Sequence, residues 1–280
     1  MDTVVFIAVM AGAIMHAGWN AVIKVGLDRF SSILLLSLVQ GLISFVLIPF
    51  FPSLPVEVLP WLLASILLHV GYKFFLIKAY ELGDLSQIYP LARGTAPLIV
   101  SIISAIFLGE LLTQTKTIGI IAIGLGIITM AFLRGKNTIP LSRRALFFAM
   151  STAVFTAAYT LVDGIGARFS LNASSYTLWL FAGDSLCMLV LAIMFRGTAS
   201  ISKTFPEWKS GFVAGTLSLG SYWIAIWAMT KAPIALVSGL RESSVLFAML
   251  IAVFFLKEKA GAVRWLSALV IGAGIMITRF

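Results

Sequence analysis

Charge is what this sequence has least of. Of its 280 residues only 11% are Asp, Glu, Lys or Arg, against 60% hydrophobic, whereas a soluble globular domain carries roughly a quarter charged. A water-soluble fold is therefore excluded, and the mean hydropathy of +1.06 points to lipid. Alternating ten-residue segments are missing as well. Runs such as 31–51 are apolar all round and too long for the strands of a membrane barrel, so the chain crosses as helices of about 20 residues. Cysteine is nearly absent: Cys187 alone excludes an internal disulfide and a cysteine-rich metal site, and its apolar surroundings read as packing. No GxxxxGK[ST] nucleotide loop occurs, and neither a cofactor nor a metal is expected. The balance of +9 is scattered over helix ends rather than gathered in one patch, which reads as loop anchors and not as a nucleic-acid interface. The chain opens Met1-Asp2 without the basic start of a cleavable signal, so its first apolar run is expected to stay as a span.

Ten nearly charge-free stretches are present, at about 3–23, 31–51, 58–78, 85–108, 115–133, 145–163, 174–195, 210–229, 233–256 and 262–279. The strongly polar break is 134–144, at the middle of the chain. A shift of 148 residues lays Arg93 on Arg241, Glu110 on Glu258, and Ile123-Gly124-Leu125-Gly126-Ile127 on Ile271-Gly272-Ala273-Gly274-Ile275. Apolar sequence matches itself easily, but a charged residue near mid-helix repeating in register does not arise so readily. A weaker shift of 140 sets Gly18-Trp19-Asn20 on Ala158-Tyr159-Thr160. The expected fold is an all-α polytopic membrane protein of ten transmembrane helices in two five-helix repeats, 1–136 and 145–280, joined by a basic linker, 137–144. Five spans is an odd number, so the second repeat enters the membrane the opposite way up. Inverted repeats place a site at the bilayer midplane that rocking opens to either side in turn.

Loops after the odd-numbered spans carry 13 Lys and Arg, against 4 on the other side. The positive-inside rule then puts both termini outside the cytoplasm.

Ionisable side chains inside spans cost roughly 2.5–3.5 kcal/mol on insertion scales, and so face cavities or partners. Arg93 and Arg241 each lie eight residues into their spans, about 12 Å deep at about 1.5 Å per residue. Arg241 has Glu242 beside it, although helix neighbours do not face each other. The span of Arg93 holds no acid, so this arginine is expected to face a cavity. His16, Trp19 and Asn20 share one helical face, and His69, Tyr72 and Lys73 repeat the spacing. Such faces hold small molecules by stacking and polar contact, or simply bond neighbouring helices. Second-half candidates are Tyr159 with Asp163, Tyr222, Trp223 with Trp227, and Ser238 with Arg241 and Glu242. Asp163 and Trp227 lie near span ends, where interface anchors are expected. Pro90 and Pro97 bracket Arg93 and predict a loosened fourth span, a feature that the ninth span lacks. The interior leans basic, which suits a carboxylate, phosphate or phosphonate. Asp184 and His16 are the candidates for proton exchange, with a salt bridge to a buried base as the other role for Asp184.

The stretch Tyr89-Pro90-Leu91-Ala92-Arg93-Gly94-Thr95-Ala96-Pro97 runs on to Gly109-Glu110. Together with His16-Ala17-Gly18-Trp19-Asn20 it resembles the EamA-type carriers of the drug/metabolite transporter superfamily, over essentially the whole chain. The resemblance implies a secondary transporter that moves a small metabolite, often outward, without ATP, and it brings Tyr89 into the candidate site. Related small multidrug carriers use a first-span glutamate for proton and cation exchange. Here no acid lies between Thr3 and Ile23, so a cationic-drug exporter is disfavoured. The expected protein is a bacterial inner-membrane carrier of an anionic or zwitterionic solute, monomeric or homodimeric, with that solute and the lipid bilayer as partners. The alternatives are a flippase for a lipid-linked head group and, in another class, a polytopic enzyme. Against the enzyme, the chain has no paired carboxylates and no HExxH.

Overall fold

The computed structural model describes residues 1–22, 28–83, 85–132, 141–254, 257 and 261–280. Every regular element among them is helical. The first half supplies α1 (Thr3–Val22), α2 (Arg29–Leu47), α3 (Leu59–Leu82), α4 (Leu85–Phe107) and α5 (Gln114–Phe132). The second half supplies α6 (Arg143–Phe169), α7 (Ala173–Arg196), the four-residue α8 (Ala199–Ser202), α9 (Trp208–Met229), α10 (Ile234–Arg241), α11 (Ser244–Phe254) and α12 (Ala262–Arg279). With α10 and α11 taken as one interrupted span, ten spans result. Among the described residues nine are long and apolar enough to cross a membrane, and the tenth, within α5, is a shorter apolar helix. The first half of the expected linker, 137–140, and Glu258 of the repeat lie outside the described residues.

Helix starts are sealed by side chains before the chain enters lipid. Asp28 accepts from the backbone amides of Phe30 and Ser31, Ser142 from that of Ala145, and Asn172 from that of Ser175. Each removes a backbone donor that hydrocarbon could not satisfy.

The packing follows a pseudo-twofold. α3 lies along α6 as α9 lies along α1, and α4 meets α6 as α10 and α11 meet α1. Two contacts, α2 with α7 and α5 with α12, are their own counterparts. The largest departure from the symmetry is that α4 lies along α5, whereas α11 barely touches α12. The two halves share an architecture and occupy different shapes.

The interruption expected in the fourth span is in the ninth instead. α4 is continuous through Pro90 and Pro97. Packing against α5 and α6 holds it, and the hydroxyls of Thr95 and Ser101 bond the carbonyls of Leu91 and Pro97. Between α10 and α11, with no proline, the amides of Glu242 and Ser243 donate three residues back, to the carbonyls of Gly239 and Leu240, at 3.1 Å each. This one-turn tightening separates α10 from α11 beside Arg241.

Glycines make the α5–α12 seam. A Cβ added at Gly119 would sit 2.8 Å from the Gly274 carbonyl oxygen, and one at Gly274 equally close to that of Gly119. Each backbone therefore fills the space a side chain would need. Gly274→Leu is expected to lower stability by about 1–3 kcal/mol through overpacking, read as a drop in the thermal midpoint in detergent.

Candidate functional site

The helices enclose a cavity of about 540 Å³ between the halves, within the range of small-molecule sites. Its described lining runs out to one end of the bundle. Its mouth is formed by the C-terminal turns of α1 (Ala21), α3 (Tyr80), α5 (Met130) and α11 (Ala252), with the N-terminal turns of α2 (Ser32), α4 (Pro90) and α12 (Arg264). These ends carry the loops after the odd-numbered spans. The floor is made by His69, Tyr159, Phe181 and Tyr222.

Of the expected residues, His16, Trp19, Asn20, His69, Tyr72, Lys73, Tyr89, Arg93, Tyr159, Asp184, Tyr222 and Arg241 all line this cavity. The α1 face holds itself in place: Trp19 Nε1 donates to His16 Nδ1 at 3.3 Å, and Asn20 Nδ2 to the His16 carbonyl at 2.8 Å. The α3 face instead contacts other helices. The His69 ring stacks on Tyr159 with centroids 4.1 Å apart, and Tyr72 meets Tyr159 edge-on.

Three expected residues lie elsewhere. Trp223 donates from Nε1 to Ser174 Oγ at 2.9 Å and packs on Phe51. It is Tyr222's neighbour, turned about 100° away by the helix. Ser238 is buried in α10 outside the cavity lining. Glu242 stands behind Arg93 rather than in the cavity, its Oε2 2.8 Å from Arg93 Nε. The acid that Arg93 lacked in its own span thus comes from the other repeat, and Arg241 does not take it. The guanidinium of Arg241 lies over the Tyr222 ring, 4.7 Å from its centroid. Among the described residues it has no ion pair. Arg93 Nη2 is buried without a hydrogen-bond partner.

Asp184 meets a buried base: Lys73 Nζ donates to it at 2.5 Å and to Ser37 Oγ at 2.7 Å. This pair also joins the two repeats. Asp163 was a candidate with Tyr159, with an interface anchor as its other role, and it lies outside the cavity lining. α6 runs on to Phe169, so Asp163 is wholly buried below the cavity floor, accepting from the hydroxyls of Ser65, Tyr176 and Tyr222. His69 Nε2 is 3.9 Å from its Oδ2. Ser65 sits one helical turn before His69, a spacing that could have drawn attention to it. Tyr176 gave no such signal.

The end opposite the mouth is closed by polar ties. Glu110 Oε1 pairs with Arg168 Nη1 at 2.6 Å, and its Oε2 accepts from the Ile234 amide at 2.8 Å, at the start of α10. Arg168 also donates to the carbonyls of Met229 and Ala232. The clasp joins the α4–α5 connection to α6 and to the α9–α10 corner, one half to the other.

Comparison with known proteins returns the same architecture. A solved crystal structure superposes with a TM-score of 0.75, covering 99% of this chain and 96% of its own at 13% identity, a likeness that shows the fold. No individually curated protein matches by sequence. The profile of the EamA-like transporter family matches residues 3–132 and again 143–280. With one match in each half and the cavity between them, the chain belongs to the EamA-like transporter family, within the drug/metabolite transporter superfamily.

Proposed function

We propose that this protein carries a small solute bearing a carboxylate or a similar anionic group, anionic or zwitterionic overall, by alternating access. The asymmetry between the halves carries the reading. Where α4 lies along α5 the bundle is shut by the Glu110 clasp, and where α11 stands off α12 it is open. Exchange of the two shapes between equivalent repeats would shut the open end and open the shut one, with the cavity retained between them.

Charge supports the substrate class. Arg93 and Lys73 are each matched by a carboxylate from the other half, which leaves the guanidinium of Arg241 and the free Nη2 of Arg93 to hold an anion. Trp19, Tyr72 and Tyr159 offer faces for an apolar or aromatic body. His16 stands beside Trp19 as a polar contact. By the count of basic loop residues the mouth faces the cytoplasm of a bacterial inner membrane, the loading side for outward movement down a solute gradient.

Proteoliposomes loaded in parallel with carboxylates, phosphates, amino acids and organic cations test this. Saturable flux is expected for a carboxylate-bearing solute. Preference for cations, or flux no greater than in protein-free vesicles across the panel, would overturn the proposal.

A further inference from the structure

Below the cavity floor lies a buried acid whose facing partner is a histidine. His69 Nδ1 lies 3.0 Å from the Ser65 carbonyl. That carbonyl can only accept, and Ser65 Oγ, 3.3 Å from Nδ1, gives its hydrogen to Asp163, so Nδ1 carries the ring hydrogen and a neutral ring presents a lone pair at Nε2. That lone pair faces Asp163 Oδ2 across 3.9 Å. Asp163 already accepts three hydroxyl hydrogen bonds, from α3, α7 and α9, yet among the described residues no Lys or Arg pairs with it. A ring lone pair and a carboxylate thus face each other across 3.9 Å beside the cavity, a pair that gains a charge-assisted contact when a proton enters between them.

We propose that His69 and Asp163 form a proton-binding site under the cavity floor, filled from water through the cavity that the His69 ring lines. The bound proton makes the ring an imidazolium and the pair neutral overall; its departure leaves an uncompensated carboxylate. The titratable and charged groups facing the pair are Tyr159 from α6, Tyr176 from α7, Tyr222 from α9 and, across the Tyr222 ring, Arg241 from α10. Tyr222 donates to Asp163 at one end and supports Arg241 by its face. Proton occupancy and anion occupancy are therefore linked through one side chain: the bare carboxylate offsets the field of Arg241, and the protonated pair releases it. By reciprocity an anion at Arg241 strengthens proton binding. The site supplies the coupling ion of the carrier reading and rests on that reading for its use, but its existence is tested without any solute.

The full chain holds two histidines, His16 and His69. With 15N-histidine label in lipid nanodiscs, the ring-nitrogen spectra are recorded from about pH 8 to about pH 5, the range in which histidine switches, and His16→Gln assigns the signals. His69 is expected to pass from the singly to the doubly protonated ring, and Asp163→Asn to lose that transition over the same range. A purely structural hydrogen bond would leave the ring unresponsive. A His69 that stays singly protonated in the unmodified protein overturns the proposal, as does an Asp163→Asn protein that titrates unchanged. If the variant does not fold, the unmodified protein's titration decides alone. A protein that binds this proton yet moves no solute of the panel would refute the carrier reading and leave the proton site standing.

Discussion

Arg241→Ala is expected to lower solute flux at subsaturating concentration by about ten- to a hundredfold while leaving the protein inserted and folded. The guanidinium has no carboxylate partner among the described residues and rests on the face of Tyr222, so its removal strands no buried acid. What is lost is a charge-assisted contact to the solute, about 1.5–3 kcal/mol, or roughly ten- to a hundredfold in affinity. Binding by scintillation proximity with the solute identified in vesicles measures it, and flux within threefold of the unmodified protein would refute the role. Arg93→Ala must behave differently, although the two arginines occupy equivalent places in the repeats. It leaves the Glu242 carboxylate buried and unmatched, a loss of about 3–5 kcal/mol in stability. The double change Arg93→Ala with Glu242→Gln should restore the thermal midpoint without restoring flux, which separates folding from binding.

Glu110→Ala is expected to open the end that the clasp closes. It removes the ion pair to Arg168 and the acceptor for the Ile234 amide together. Arg168 is 37% exposed, so water replaces part of what is lost, and about 1–2 kcal/mol remains. That is roughly a five- to thirtyfold change in the ratio of the two conformations. Spin labels at Leu111→Cys and Leu171→Cys, exposed positions of the two halves at that end, in a Cys187→Ser background, report the change. A second, longer distance should appear in the Glu110→Ala protein. An unaltered distribution would mean that the clasp contributes nothing to closure.

The family, the ten spans and the paired arginines were legible because lipid makes each of them conspicuous: apolar length marks a crossing, and charge at depth marks a purpose. The cavity-facing sides of α1 and α3 were legible from spacing alone. Pairing was not. Arg93 meets Glu242 and Lys73 meets Asp184 across the two repeats, and no local pattern tells which of several acids will arrive opposite a base. Asp163 was misplaced because hydropathy ended the sixth span at the acid itself. The polar residue that looked like the edge of the membrane was its interior. The prolines of α4 did not mark a break: a missing backbone donor weakens an isolated helix, but neighbours on two sides keep this one continuous. The ninth span, without a proline, tightens beside Glu242.

Two seams, α2 against α7 and α5 against α12, are each formed by equivalent helices from both halves. An interchange of conformations maps each seam onto itself, so these contacts can persist while the others are remade. Under the proposed alternation they would form a stationary frame, with the mutual close approach of Gly119 and Gly274 as one fixed post and the Asp28–Arg196 bridge tying the other. Tethers and fluorophores attached along this frame would report on the working protein without arresting it, whereas the same attachments on α4 or α11 would hold it in one pose.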